Sequence, residues 1–183
     1  MVRYHPYQGD TVIPEGITLQ EYAECWIDMV PHTGHLTELA SRVKTIVEFG
    51  LRGGVSTWAF LDGLPEDGTL LGIDILNVDE ILLPPRVKED PRFTFVMGDD
   101  REVKLPKTAD LVMIDSSHLY EHTVQELIIA EKMKPRYIVL HDYLDPGAGP
   151  MVKPAVDGFV AYRSYKWEVL HESPWGLAVL VPK

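Results

Sequence analysis

The run Thr45-Ile46-Val47-Glu48-Phe49-Gly50-Leu51-Arg52-Gly53-Gly54-Val55-Ser56-Thr57 decides how this chain folds. A short, mostly apolar and β-branched stretch gives way to a glycine-rich turn, and Val55–Leu61 then opens as a helix. A buried strand that passes through glycines into a helix is the first part of a strand–helix–strand unit. Four more apolar runs follow it, at Thr69–Ile73, Phe93–Met97, Asp110–Ile114 and Tyr137–Leu140. Tyr120–Met133, between the last two, places Val124, Leu127, Ile128 and Met133 on one helical face. Strands alternating with helices imply right-handed crossovers and a parallel sheet. Gly98–Ala109 is too short and polar for a long helix, so that crossover is abbreviated. Residues 151–163 read as a last helix. Lys166–His171 and Gly176–Val181, flanking Glu172-Ser173-Pro174-Trp175, read as a hairpin that adds an antiparallel strand. The expected fold is a Rossmann-like, doubly wound α/β domain with a mostly parallel sheet.

Upstream, residues 1–17 carry Pro6, Gly9, Pro14 and Gly16 and read as an irregular arm. Thr18 and Glu21 form a capping-box pattern, after which Leu19, Tyr22, Ala23, Trp26, Ile27 and Val30 recur at helical spacing until Pro31. A second short helix is expected over about Leu36 to Arg42. Residues 1–44 thus form an arm and helical cap on a core spanning 45–183, in a single domain overall.

The 183 residues are 45% hydrophobic and 25% charged, enough to bury a core rather than stay disordered. Lys+Arg number 17 against 28 Asp+Glu, a net charge of -11. That balance opposes a phosphate backbone, so neither nucleic acid nor an anionic membrane is an expected partner. The single cysteine, Cys25, excludes an internal disulfide and a cysteine-based zinc cluster. No apolar run reaches the ~18–20 residues that span a bilayer. Met1–Pro6 lacks the apolar stretch of a secretory signal, so a cytoplasmic protein is expected.

In doubly wound sheets, ligands bind at the carboxyl ends of the strands, where strand order reverses. Those ends are rich in chemistry here. Glu48 and Gly50 end the first run, Asp74 follows the second, and Gly98-Asp99-Asp100 the third. Asp115-Ser116-Ser117-His118 follows the fourth and His141-Asp142 the fifth. A dinucleotide loop reads G-x-G-x-x-G, with its middle glycine admitting a pyrophosphate. Arg52 stands at that middle position and crowds such an approach. The carboxylate of Glu48 would repel phosphate but suit an ammonium group, and Asp74 suits ribose hydroxyls. A ligand with a ribose and an amine but no phosphate is favoured. S-adenosylmethionine fits that description.

With these residues in view, the sequence resembles class I S-adenosylmethionine-dependent methyltransferases. Val47–Thr57 is similar to their first motif. Ile114–His122 and Val139–Tyr143 are similar to the small-molecule O-methyltransferase branch that includes the macrocin and cephalosporin-tailoring enzymes. The resemblance covers roughly Thr45 to Val160. It implies that Glu48 and Gly50 hold the methionine end of the cofactor, that Gly54 and Ser56 line the turn beneath it, and that Asp74 binds the ribose. Asp99 and Asp100 sit where the family reads adenine, and Asp115 lies beside the cofactor. In the metal-using branch, an acid after the fourth strand and an acidic pair after the fifth bind magnesium. Asp115 and Asp142 match, while His141 departs from the pattern and admits manganese or another divalent ion. His118 occupies the position of the general base, with His141 as its acid–base partner if no metal is used.

Each of these residues also has a structural reading. His118 could cap the Tyr120–Met133 helix or pair with Glu121, Asp115 could cap the same helix, and His141-Asp142 could lead into the Asp145-Pro146-Gly147 turn. His32, His35 and His122 read as surface or packing residues. Tyr22, Trp26 and Ile27 read as core, and Pro84-Pro85 with Glu89-Asp90 as solvated loop. The leading function is O-methylation of a small hydroxylated molecule, a sugar or a phenol. A nicotinamide-dependent oxidoreductase and a non-catalytic binding module of the same fold are the alternatives. The N-terminal helices or a second subunit are expected to close the pocket, with a homodimer the preferred assembly.

Overall fold

A computed structural model describes residues 13–14, 16–77, 83–163, 165–171 and 175–183. Most of the expected N-terminal arm and the hairpin turn at 172–174 lie outside the described residues. Five strands run parallel: β1 (Thr45–Phe49), β2 (Thr69–Asp74), β3 (Phe93–Met97), β4 (Leu111–Ile114) and β5 (Tyr137–Leu140). At one edge, β6 (Tyr165–His171) and β7 (Leu177–Pro182) pair antiparallel, and β7 pairs antiparallel with β5. The strand order is β3-β2-β1-β4-β5-β7-β6. The expected mostly parallel sheet with an antiparallel C-terminal hairpin is the fold observed. Asp110 falls just outside β4, because its carboxylate turns back to accept from the amides of Lys44 and Thr45, at 2.9 and 3.0 Å.

The pleat sends alternate side chains to opposite faces, and each face has its own apolar layer. Ile46, Leu70, Leu111, Met113 and Val139 pack against α2 (Thr33–Ala40) and α3 (Val55–Gly63). Val47, Phe49, Val112, Ile114 and Ile138 pack against α5 (Tyr120–Lys132) and α6 (Gly149–Tyr162). A short helix, α4 (Pro85–Lys88), lies between β2 and β3. There the expected solvated loop is solvated only in part: Pro85 and Glu89 are exposed, whereas Pro84 is buried beside Leu83 and Val87, and Asp90 is held by Arg92. No helix of the described residues is long and apolar enough to cross a membrane.

The N-terminal helix is capped as the sequence predicts. The Thr18 hydroxyl accepts from the Glu21 amide, and the Glu21 carboxylate accepts from the Thr18 amide at 2.9 Å. The helix does not continue to Val30. α1 (Leu19–Ala23) stops after five residues, and the chain turns tightly before a 3₁₀ turn at Val30–His32. Helical periodicity loses to tertiary contacts: Tyr22 is buried, Trp26 packs beside Gly53, and Asp28 is buried with its carboxylate on Arg52. Ile27, expected in the core, is largely exposed.

Candidate active site

Strand order reverses between β1 and β4. There the Gly50 amide continues the β2 ladder, donating to Ile73, while the Asp115 amide donates to Phe49. A cavity of about 300 Å³ opens at these carboxyl ends. Gly50, Arg52, Asp74, Asp100, Asp115, His118 and His122 are among the residues that line it. A larger groove, of about 870 Å³, lies between residues 13–14 and 16–19 on one side and α3–α4 on the other.

The first loop is shaped by its glycines. Gly50 adopts φ +80°, and a Cβ there would overlap the Asp115 carbonyl. A Cβ on Gly53 would overlap the Trp26 ring, and one on Gly54 the Leu83 side chain. These glycines let protein pack on protein rather than open a cradle for phosphate. Asp74 fastens the loop from below, accepting from the Leu51 amide at 2.9 Å and the Arg52 amide at 3.4 Å through one oxygen. Its other oxygen accepts from Leu76 at 2.9 Å, leaving the carboxylate at the cavity wall.

Glu48 does not line this cavity. It is buried beneath the turn, where one oxygen accepts from Ser56 and the other from Thr57 at 2.8 Å, so Glu48 and Ser56 anchor the start of α3. Burial pushes the Glu48 carboxyl up to about 8, against the two hydroxyl bonds, and it is largely neutral at pH 7. A folded pKa above the unfolded value near 4.3 gives stability that is complete at low pH and lost as pH rises towards 8. Glu48→Gln, which keeps the shape without the ionisation, is expected to match wild type in thermal unfolding near pH 4. At pH 8 it should exceed wild type by on the order of 3 kcal/mol. A constant difference across that range would contradict the neutral buried carboxyl.

Asp115 and His118, which line the cavity, meet the buried His141 and Asp142. His118 Nε2 lies 2.9 Å from Asp115 Oδ1 and 3.4 Å from Asp142 Oδ2. His141 Nδ1 lies 3.3 Å from Asp142 Oδ2 and 3.6 Å from Asp115 Oδ1, while its Nε2 faces the Asp28 carbonyl at 3.2 Å. Burial alone would raise Asp115, but the charge of His141 and the hydrogen bond from His118 outweigh it and hold the carboxyl well below the usual range. Burial likewise works against charging the two imidazoles. The facing carboxylates outweigh it, raising His118 and carrying His141 well above the ordinary histidine value. Neither Asp115 nor His118 caps α5, whose N-terminus has no side-chain cap. Among described residues, four non-glycine residues have positive φ, and Arg52, His118 and Asp142 of these are at this site. Backbone strain of that kind concentrates where geometry serves function.

These donors fit a divalent cation. Asp115, His118 and Asp142 bring ligand atoms within 4.8 Å of one another. A carbonyl only accepts, so His141 Nε2 carries a proton and Nδ1, buried without a hydrogen bond, faces two carboxylates. A neutral ring would aim its lone pair at negative charge, so a proton or a metal ion belongs between them. A ligating histidine that donates its second N–H to a backbone carbonyl is a common arrangement around metals. The mixed nitrogen and oxygen set suits a transition ion better than magnesium.

Sequence reasoning passed over His122, Glu126 and Asp28. His122, read as surface or packing, lines the cavity and sits 3.1 Å from Asp100. Its signal was Glu126, one turn on, a carboxylate on the buried face of α5 that accepts from Ser116 at 2.6 Å. Burial pushes Glu126 well above the carboxylate range and raises Asp100 despite His122. His32 is buried edge-on to His141, with centroids 5.1 Å apart. Asp28 carried no sequence signal at all. Asp99, expected at the adenine, does not line the cavity; its carboxylate is taken by Arg101, whose hydrogen bond holds it below the usual range.

Comparison with known proteins agrees with this geometry. Residues 47–143, just over half of the chain, match the family model described as a methyltransferase domain. No curated protein matches the sequence. Among solved structures, an O-methyltransferase from Bacillus cereus in complex with SAH superposes with TM-score 0.70 at 17% identity, covering 98% of this chain and 96% of that one. The O-methyltransferase TomG from Streptomyces achromogenes, in complex with SAM, gives TM-score 0.66 at 16% identity, over 84% of this chain and 80% of that one. The SAH-bound methyltransferase PaMTH1 from Podospora anserina gives 0.66 at 13%, over 83% and 78%. With the reversal of strand order, the glycine loop and the acid-lined strand ends all in place, the chain belongs to the family described as a methyltransferase domain.

Proposed function

We propose that the 300 Å³ cavity holds S-adenosylmethionine and that the chain transfers its methyl group to an oxygen of a small hydroxylated acceptor, a sugar or a phenol. One observation carries this reading: Asp74 lines the same cavity as Asp115 and His118 of the carboxylate–imidazole cluster. Asp74 suits the ribose, and the loop at Gly50 and Arg52 suits the methionine end. The cofactor-bound enzymes that share the fold support the donor. The net charge of -11 supports a small acceptor over nucleic acid.

Methyl transfer is an in-line displacement that needs an aligned oxygen and somewhere for its proton to go. The facing carboxylates favour the imidazolium, so His118 acts as a base from its neutral form, in which Asp115, which only accepts at 2.9 Å, puts the proton on Nε2. His118 Nδ1 then takes the proton of the acceptor hydroxyl. The left-handed backbone at His118 turns the ring into the cavity, and Asp142 helps to hold it. With His118 kept as the base, Asp115, Asp142 and His141, whose Nδ1 faces both carboxylates, would hold a divalent ion, which when bound supplies a Lewis acid that lowers the pKa of the acceptor hydroxyl.

Calorimetry with the wild-type chain tests the donor. S-adenosylmethionine or S-adenosylhomocysteine is expected to bind at micromolar level, roughly -8 kcal/mol, with NAD much weaker. Asp74→Ala should lose about 1–3 kcal/mol, since it removes a charged acceptor from both ligand and loop. Equal affinity for NAD would sink the assignment.

A further inference from the structure

We infer that Asp28 is a positioning residue that ties the donor-binding loop to His141, so that the segment between α1 and the 3₁₀ turn is a working part of the active site. The inference rests on the donor reading above. Asp28 is 1% exposed, and a charge so buried is costly unless paired. It reaches two parts of the site at once. Its carboxylate accepts from Arg52 Nη1 at 2.8 Å, and its backbone carbonyl accepts from His141 Nε2 at 3.2 Å.

The first contact acts on the loop. Arg52 lines the cavity and holds φ +48°, a conformation that costs energy for any residue with a side chain. It is kept there by residues of the same N-terminal segment. The Arg52 guanidinium lies 4.7 Å over the Trp26 ring, that ring fills the space beside Gly53, and the Tyr22 hydroxyl donates to the Gly53 carbonyl at 2.6 Å. The second contact acts on the cluster. With Nε2 committed to the Asp28 carbonyl, the His141 ring can only turn Nδ1 towards Asp115 and Asp142. A shift of Asp28 therefore moves the loop and the ring together. What the donor does to Arg52 must be felt at His141, and the reverse, because coupling between two sites is reciprocal.

The test is a double-mutant cycle on S-adenosylhomocysteine binding by calorimetry, using Asp28→Asn, Arg52→Gln and both together. Each single change is expected to weaken binding by about 5- to 30-fold, and the double variant to bind no more weakly than the worse single one. The Arg52 side chain is 42% exposed, so Arg52→Gln removes no core packing, its amide keeps a donor for the buried Asp28 carboxylate, and it gives an independent reading if Asp28→Asn folds poorly. In that variant the imidazole resonances of His141, followed by NMR, should lose most of the shift that the ligand causes in wild type. Additive losses, or an undiminished His141 shift in Arg52→Gln, would overturn the coupling while leaving the donor reading intact. A wild-type chain that does not bind S-adenosylhomocysteine would overturn both.

Discussion

His118→Ala is expected to leave S-adenosylhomocysteine affinity nearly unchanged while methyl transfer falls by about 10²–10⁴-fold, the usual contribution of a positioned base. The split follows from where the ring stands. It enters the cavity from the loop after β4, held by Asp115 and Asp142, whereas Asp74 holds the first loop through the Leu51 and Arg52 amides. Removing it should also relieve little of the framework, since no cap of α5 depends on it. Asp115→Asn is the companion measurement. An amide at that position can donate to Nε2 and so favours the wrong tautomer, and turnover should fall although His118 is still present. Transfer is measured as S-adenosylhomocysteine released against a panel of sugars and phenols. Loss of cofactor affinity in parallel with turnover would make His118 a structural residue instead.

Exhaustive chelation is expected to lower transfer by at least about 100-fold, with manganese restoring it better than magnesium because an imidazole nitrogen is among the donors. Asp142→Ala should bind S-adenosylhomocysteine and yet fail to recover with either ion. Manganese titration followed by electron paramagnetic resonance gives a reading that does not depend on finding the acceptor. One ion per wild-type chain and none in Asp142→Ala is the expected result. Full activity in the chelated protein would reject the ion and leave His118 and His141 as an acid–base pair, with a proton between His141 and the two carboxylates.

How much of this was legible beforehand can be read residue by residue. β1 and β5 lie where the apolar runs placed them, because a strand buried on both faces writes itself as a continuous apolar segment, and the half-buried edge strand β3 lies where its run placed it too. The chemistry at the strand ends was equally open to reading, since in a doubly wound sheet position along the chain already implies position around the crevice. That logic brings Gly50, Asp74, Asp100, Asp115 and His118 to one cavity. It fails for Glu48 and Asp99, which stand at the right ends but spend their oxygens on Ser56, Thr57 and Arg101. Which way a side chain turns depends on the hydroxyls and guanidinium that compete for it.

By itself, the sequence determined the α/β class, the parallel order of strands and helices, and the acidic strand ends that surround the crevice. These follow from local periodicity and from a topology that admits few arrangements. Only the tertiary structure decided that α1 stops at Ala23, that Asp28 is buried between Arg52 and His141, and that His122 joins Asp100 at the cavity. All three rest on pairs far apart in the chain, 113 residues for Asp28 and His141. Burying a charge or an imidazole is unfavourable until its partner arrives, so no local pattern announces it; the folded packing alone brings the partner.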